Sequence, residues 1–224
     1  MELFAELAAE HRADGRNVDD LVTRYLAEHD GEKEQAGRNL AVIVMDLFLA
    51  GSETTASSLG WALLYMLLKP DVQLGVQREL DRVVGRHRLP TLQDRASLPY
   101  TEATLSEVAR MASVTPMALA HNASFRSTTI AGYRVPLGSM VLFDLHHVHH
   151  DPDYWGDPEA FRPGRFLTPA GQLRRDIDRL VPFGTGKRQC IGEPLARMEL
   201  FLFFSCMLHE FWLSPAPGCW DDPA

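Results

Sequence analysis

Cysteine is scarce: the 224 residues hold three, at positions 190, 206 and 219, with no CxxC pair. Three cannot all pair with one another, so a disulfide framework is excluded and a reducing compartment is expected. Any special cysteine is then a ligand or a nucleophile. Excess basic charge is missing too. Lys and Arg number 22 against 30 Asp and Glu, a net charge of -8, which excludes nucleic acid as a general partner because that binding rests on neutralising phosphates. The opening residues Met1–Glu6 carry no basic stretch leading into an apolar one, so no secretory signal is read there. The longest uninterrupted apolar run, Leu59–Leu68, is half of the roughly 20 residues that a bilayer span needs. Repeats and low-complexity tracts are absent. What is present is 46% hydrophobic, 23% charged and 9% aromatic, an ordinary globular mixture that excludes disordered and collagenous chains. This length suffices for a sizeable core in one large domain or two small ones.

The spacing of apolar residues places helices at both ends and a strand-rich middle. Asn17 is a plausible N-cap for a helix over Val18–Leu26, and Asp30–Gln35 reads as a polar loop. A long helix over Asn39–Leu68 reads as the buried helix of a soluble domain, stopped at Pro70. Asp71 opens the next helix, Gly85 closes it, and Pro99 starts another that reaches Met111. Thr128–Ile130, Gly132–Val135 and Ser139–Phe143 read as strands, with turn chemistry at Val135–Gly138. Proline-punctuated loops follow at Asp151–Pro152, Asp157–Pro158 and Arg162–Gly164, and a last apolar helix covers Gly192–Trp212.

Four constellations could carry chemistry. The most specific is Phe183-Gly184-Thr185-Gly186-Lys187-Arg188-Gln189-Cys190-Ile191-Gly192, directly before the last helix. Its glycines allow a tight loop whose backbone approaches a ligand closely. A cysteine at a helix N-terminus beside Lys187 and Arg188 has its thiolate favoured by dipole and charge. Those cations could also hold carboxylates of a cofactor, and Phe183 could shield the sulfur. A phosphatase loop fails by one position, because residue 196 is Ala and the arginine is Arg197. The second constellation, Ala50-Gly51-Ser52-Glu53-Thr54-Thr55, breaks the long apolar helix. If buried, its acid and hydroxyls need partners. A threonine hydroxyl bonding back to Ala50 would open the helix into a polar notch able to hold water or pass protons, a polar contact between helices being the alternative. The third pairs Glu107 with Arg110, one turn apart, and gains weight from Arg165 in Phe161-Arg162-Pro163-Gly164-Arg165-Phe166. The fourth is the cluster His146, His147, His149 and His150, flanked by Asp144 and Asp151. Neither a helical i, i+4 pair nor a CxxC companion accompanies these histidines, so solvated or loop-packing roles are preferred over zinc.

Taken in order, Ala50-Gly51-x-Glu53-Thr54-Thr55, Glu107-x-x-Arg110, Phe161-x-Pro163-x-Arg165-Phe166 and Phe183-x-x-Gly186-x-Arg188-x-Cys190-x-Gly192 resemble the C-terminal half of a cytochrome P450. The texture is most similar to microsomal animal members, with an arthropod-like cast. The resemblance implies a mainly α fold with a small β region, in which the long central helix and the cysteine loop flank a haem. Residues 1–224 would form a partial domain of that fold, without its front half or membrane anchor. Two departures from the family pattern, Gly164 where Glu is common and Asp144 where Asn is common, leave the chemistry untouched.

By the same resemblance Cys190 is the metal ligand, the axial thiolate of haem b. The haem environment is implied for Ala50, Gly51, His121, Phe183, Gly186, Arg188 and Gly192, with His121 and Arg188 on the propionates. Glu53 and Thr54 are implied in proton delivery toward O2, and Glu107, Arg110 and Arg165 in a buried charge network that fixes the cysteine loop. The implied partners are an NADPH-dependent cytochrome reductase, cytochrome b5 as a second donor, and a small lipophilic substrate. A hormone precursor comes first among such substrates and xenobiotics next. The implied location of the full-length protein is the cytosolic face of the endoplasmic reticulum membrane. Rival classes are a cysteine-nucleophile hydrolase, which leaves Glu53 and Thr54 unexplained, a non-catalytic haem-binding protein, and a truncated fragment inactive on its own.

Overall fold

A computed structural model describes residues 20–29, 33–123, 126–174, 176–216 and 218. The chain divides into two compact units, with the boundary between Glu53 and Thr54. In the first unit, α1 covers Leu21–Glu28. Its N-cap is Asp20, whose carboxylate accepts the N–H of Thr23 at 2.9 Å. The expected cap Asn17 lies outside the described residues.

Helix α2 runs over Lys33–Leu68. It begins six residues before the expected start because Glu34, Gln35 and Ala36 are good helix formers rather than loop residues. Ala36, Leu40 and Ala41 are its buried residues in the first unit.

The long helix is not the buried one the sequence suggested. From Asp46 to Thr54 every residue is exposed, and Phe48 and Leu49 are more than half accessible. The α-helix also continues unbroken through Gly51, so no opened notch forms there. Apolar residues on all sides of a helix carry no directional signal, and composition alone was read as burial. By length and composition, Gln35–Leu68 is apolar enough to cross a membrane.

The second unit is built around α3 (Pro70–Val83), α4 (Pro99–Ala112) and α7 (Glu193–Glu210). Its main core gathers Ala62 and Met66 from α2, Val76 and Leu80 from α3, and Phe201 and Phe204 from α7, none of them accessible. Burying the larger of these side chains, Met66, Val76, Leu80, Phe201 and Phe204, stabilises the unit by roughly 1.5–3 kcal/mol each. Helix α3 starts at Pro70, one residue before the expected Asp71, because proline suits a first helical turn, and it hands over to Gly85 just past its end, as expected. Two glutamines tie the chain leaving α7 to α3. Gln73 accepts the N–H of Leu213 at 2.7 Å and donates to its carbonyl at 3.1 Å. Gln77 donates to the carbonyls of Leu208 and Phe211 at the C-terminal end of α7.

The β region is small. Strands β2 (Thr128–Ile130) and β3 (Tyr133–Val135) form an antiparallel hairpin with Thr128 opposite Val135. Strand β1 (His121–Asn122), which the sequence did not reveal, pairs with β4 (Met140–Val141), a shorter strand than Ser139–Phe143. Two short helices follow, α5 (Leu145–His150), which the sequence did not reveal, and α6 (Pro152–Trp155), which begins at the expected Asp151–Pro152 loop. The Asp144 carboxylate accepts the N–H of His147 at 2.8 Å and caps α5. A second cluster sets Trp155 and Phe166 against Ala103 of α4.

Candidate functional site

The cysteine loop enters α7 as the glycines require. Gly184 and Gly186 adopt φ of +72° and +78°, a region open to glycine at little cost. This lets the chain reverse so that the Cys190 N–H donates to the Phe183 carbonyl at 2.9 Å. A short 3-10 turn, Gly186–Arg188, carries Lys187 and Arg188 into solvent. The Cys190 thiol is free and exposed, two residues before Gly192, the N-cap of α7. Its immediate neighbours face outward as well, Ile191 at 87% and Leu195 at 57% accessible. A Cβ on Gly192 would lie 3.8 Å from the sulfur.

Arg197, weighed in the sequence only against a phosphatase loop, holds this loop from α7. Its guanidinium lies 4.9 Å over the Phe183 ring and pairs with Glu193 at 2.7 Å. The Glu193–Arg197 spacing of four was the available signal.

Glu107, Arg110 and Arg165 meet in one buried cluster beneath the second core. The Glu107 carboxylate is fully buried and fully engaged. Its Oε2 accepts Arg110 Nε at 2.8 Å. Its Oε1 accepts Arg110 Nη2 at 2.9 Å, the backbone N–H of Arg162 at 2.7 Å and Arg165 Nε at 3.0 Å. Arg165 also donates to the carbonyls of Trp155, Asp157 and Ala160. Trp155 lies beneath both guanidinium groups, 5.2 Å from Arg110 and 5.8 Å from Arg165. Such a cluster is stable only when every charge is paired and every donor used.

Among the four histidines, His149 is completely buried. His146 and His150 stack at 4.0 Å across one turn of α5, so the segment does hold a helical i, i+4 pair, contrary to the sequence reading. The His150 Nδ1 engages the His146 carbonyl at 3.0 Å, and no cluster of three metal-binding side chains exists among the described residues. His121 sits on β1. Its Nδ1–H donates to the Leu119 carbonyl at 2.7 Å, and its ring meets Phe143 edge-on at 5.3 Å. Ala50, Gly51, Glu53 and Thr54 lie along the exposed stretch of α2. One turn on, the Ser58 hydroxyl donates to the Thr54 carbonyl at 2.7 Å. Cys206 packs by Pro90, and burial pushes its thiol above the ordinary value.

The fold and this site define a mainly helical protein that presents one soft sulfur donor on a glycine loop at a helix start. The comparisons make it particular. The family model for cytochrome P450 matches residues 1–222, and the chain belongs to the cytochrome P450 family. It is 45% identical over 204 residues to cytochrome P450 2U1 of Homo sapiens, covering 88% of this chain and 37% of that one. It is 43% identical over 216 residues to cytochrome P450 18a1 of Drosophila melanogaster, covering 92% and 40%. With cytochrome P450 2J2 of Homo sapiens the identity is 40% over 223 residues, covering 96% and 44%. The chain thus spans about two fifths of the length of the curated relatives it matches.

The family implies a thiolate-ligated haem, and the residues present fit one. The exposed Cys190 thiol suits a ligand to iron. The outward-facing Ile191 and Leu195 suit the apolar face of a macrocycle, and Lys187 and Arg188 beside them suit its anionic edge.

Proposed function

We propose that the chain is the haem-thiolate portion of a monooxygenase. The observation that carries this reading is the free, exposed Cys190 thiol on a loop closed by the Cys190–Phe183 hydrogen bond, in a chain of the cytochrome P450 family. Haem b, when bound, supplies the activation of O2, one atom of which goes to the substrate while the other leaves as water, with two electrons and two protons consumed.

The chain's own residues hold and tune. Cys190 would ligate iron through Sγ, and backbone N–H groups near Gly192 would polarise that sulfur. Phe183, packed under Arg197, keeps water from it. Arg188 and His121 bind propionates, and Nε2 is the His121 atom left for that, since Nδ1 is committed to Leu119. Ala50 and Gly51 let α2 approach the cofactor, while Glu53 and Thr54 hold and pass protons along that helix. Glu107, Arg110 and Arg165 form the buried charge network that fixes the cysteine loop.

In the full-length protein, electrons come from an NADPH-dependent cytochrome reductase, with cytochrome b5 as a second donor. The substrate is small and lipophilic, and the enzyme works at the cytosolic face of the endoplasmic reticulum membrane. A second reading, in which these 224 residues hold haem without turnover, follows from their covering about two fifths of each relative.

The test is to express the chain with haem, reduce it, add carbon monoxide and record the Soret band. A strongly red-shifted band that is lost in Cys190→Ala supports thiolate ligation. A band that persists unchanged in that variant defeats it. Turnover with a reductase then separates the two readings.

A further inference from the structure

His149 links the two parts of the site that the sequence presented as separate. Its backbone carbonyl accepts Arg110 Nη1 at 2.8 Å, so the residue belongs to the buried charge cluster. Its ring points the other way. The Val181 N–H donates to Nε2 at 3.1 Å, which requires Nε2 to be unprotonated. The ring hydrogen is therefore on Nδ1 and donates to the Ser113 hydroxyl at 2.8 Å. That hydroxyl in turn donates to the Arg110 carbonyl at 3.0 Å. Val181 is the last anchored position before the cysteine loop. Its carbonyl accepts the N–H of Gly184 at 3.0 Å, and the carbonyl of intervening Phe183 accepts the N–H of Cys190. Ser113 holds this geometry from the C-terminal end of α4, in a left-handed conformation with φ of +38°.

We propose that His149, as the Nδ1–H tautomer, is a positioning residue that couples the Glu107–Arg110–Arg165 cluster to the start of the cysteine loop by accepting the Val181 N–H. Its value for haem binding rests on the reading above, but the coupling itself does not.

A packing role alone predicts that any polar side chain of similar size serves equally. The coupling predicts a difference between two amides. Gln places its carbonyl oxygen near the position of Nε2, whereas Asn reaches only as far as Nδ1. In the unliganded chain, hydrogen exchange at the Val181 amide should be slow in the wild type, stay within about threefold in His149→Gln and speed up at least tenfold in His149→Asn, with the amides of α4 unchanged. Site-resolved alkylation of Cys190 should rise in the Asn variant and not in the Gln variant. Equal Val181 protection in the two variants overturns the proposal, as does an unprotected Val181 in the wild type. Should both variants unfold, nitrogen-15 shifts of His149 in the wild type decide: Nδ1–H supports the coupling and Nε2–H defeats it. Neither readout involves haem, so a wild type that shows this coupling but no thiolate-type carbon monoxide band counts against the haem reading alone.

Discussion

The Glu79 carboxylate accepts both the backbone N–H and the hydroxyl of Thr101 at 2.8 Å, while its other oxygen accepts the N–H of Tyr100 at 2.9 Å. A side chain of α3 thereby caps the first turn of α4, where Leu98 at the N-cap offers no polar group. The acid also complements the positive end of the helix.

Replacing Glu79 by Ala leaves these donors without a partner inside the protein. The expected cost is about 2 kcal/mol. Thermal unfolding should drop by roughly 4–8 °C for a chain of this size. A change below one degree would show that water replaces the cap.

The charge cluster predicts a larger loss. Glu107→Ala strands Arg110 and Arg165 in a buried site and should destabilise by roughly 3–5 kcal/mol. The exposed Arg174–Asp176 pair, 38% and 71% accessible, should cost less than about 1 kcal/mol when removed. Chemical denaturation of both variants measures the contrast, and comparable losses would show that burial of the cluster adds nothing.

Acid sensitivity follows from His149. Burial, then the charges of His150, Arg110 and His146 around it, hold its imidazole down to about 4 against the ordinary 6.5. Ser113 and the Val181 N–H complete its surroundings. Between those two values the unfolded chain binds a proton that the folded chain refuses. This contribution is therefore fully present above 6.5 and is lost as pH falls toward 4. His150, lowered chiefly by burial, acts in the same direction. In His149→Gln the loss of stability between neutral pH and pH 4 should shrink by up to about 3 kcal/mol. Unchanged acid unfolding in that variant removes His149 as the cause.

Gly75 reports how closely α3 and α4 approach. A Cβ there would lie 2.6 Å from the Tyr100 ring, closer than any unstrained contact. Gly75→Ala should cost about 1–3 kcal/mol through overpacking, and Tyr100→Leu in the same chain should recover part of it. Strict additivity of the two changes would show that they do not meet.

The charge cluster was legible because its acid and first base share a helical turn and its third member stands in a proline-fixed loop. The glycine loop was legible because positive φ requires the residue type that occupies it. His149 was not. Its role depends on a six-residue helix too short for periodicity to reveal and on a backbone N–H that is 32 positions away. The exposure of α2 was not legible either, since a helix apolar all round gives the same sequence whether protein, lipid or solvent surrounds it. The α3–α4 cap escaped for a further reason: the backbone N–H groups that define the role of Glu79 are 21 and 22 residues on.

The reach of Glu107 also sets an order of assembly. Two of its donors lie 55 and 58 positions downstream. On a growing chain, α4 is complete long before Arg162 and Arg165 emerge. Until then, water must solvate an acid that ends with no access to it. Closing so long a segment costs conformational entropy before Arg162 and Arg165 can repay it, although Arg110 on the same helix can pair with the acid earlier. The region bearing Trp155 and Phe166 therefore docks late. A ribosome stalled inside that interval would display α4 with the apolar surface around Ala103 still uncovered, the kind of surface that chaperones recognise as unfinished.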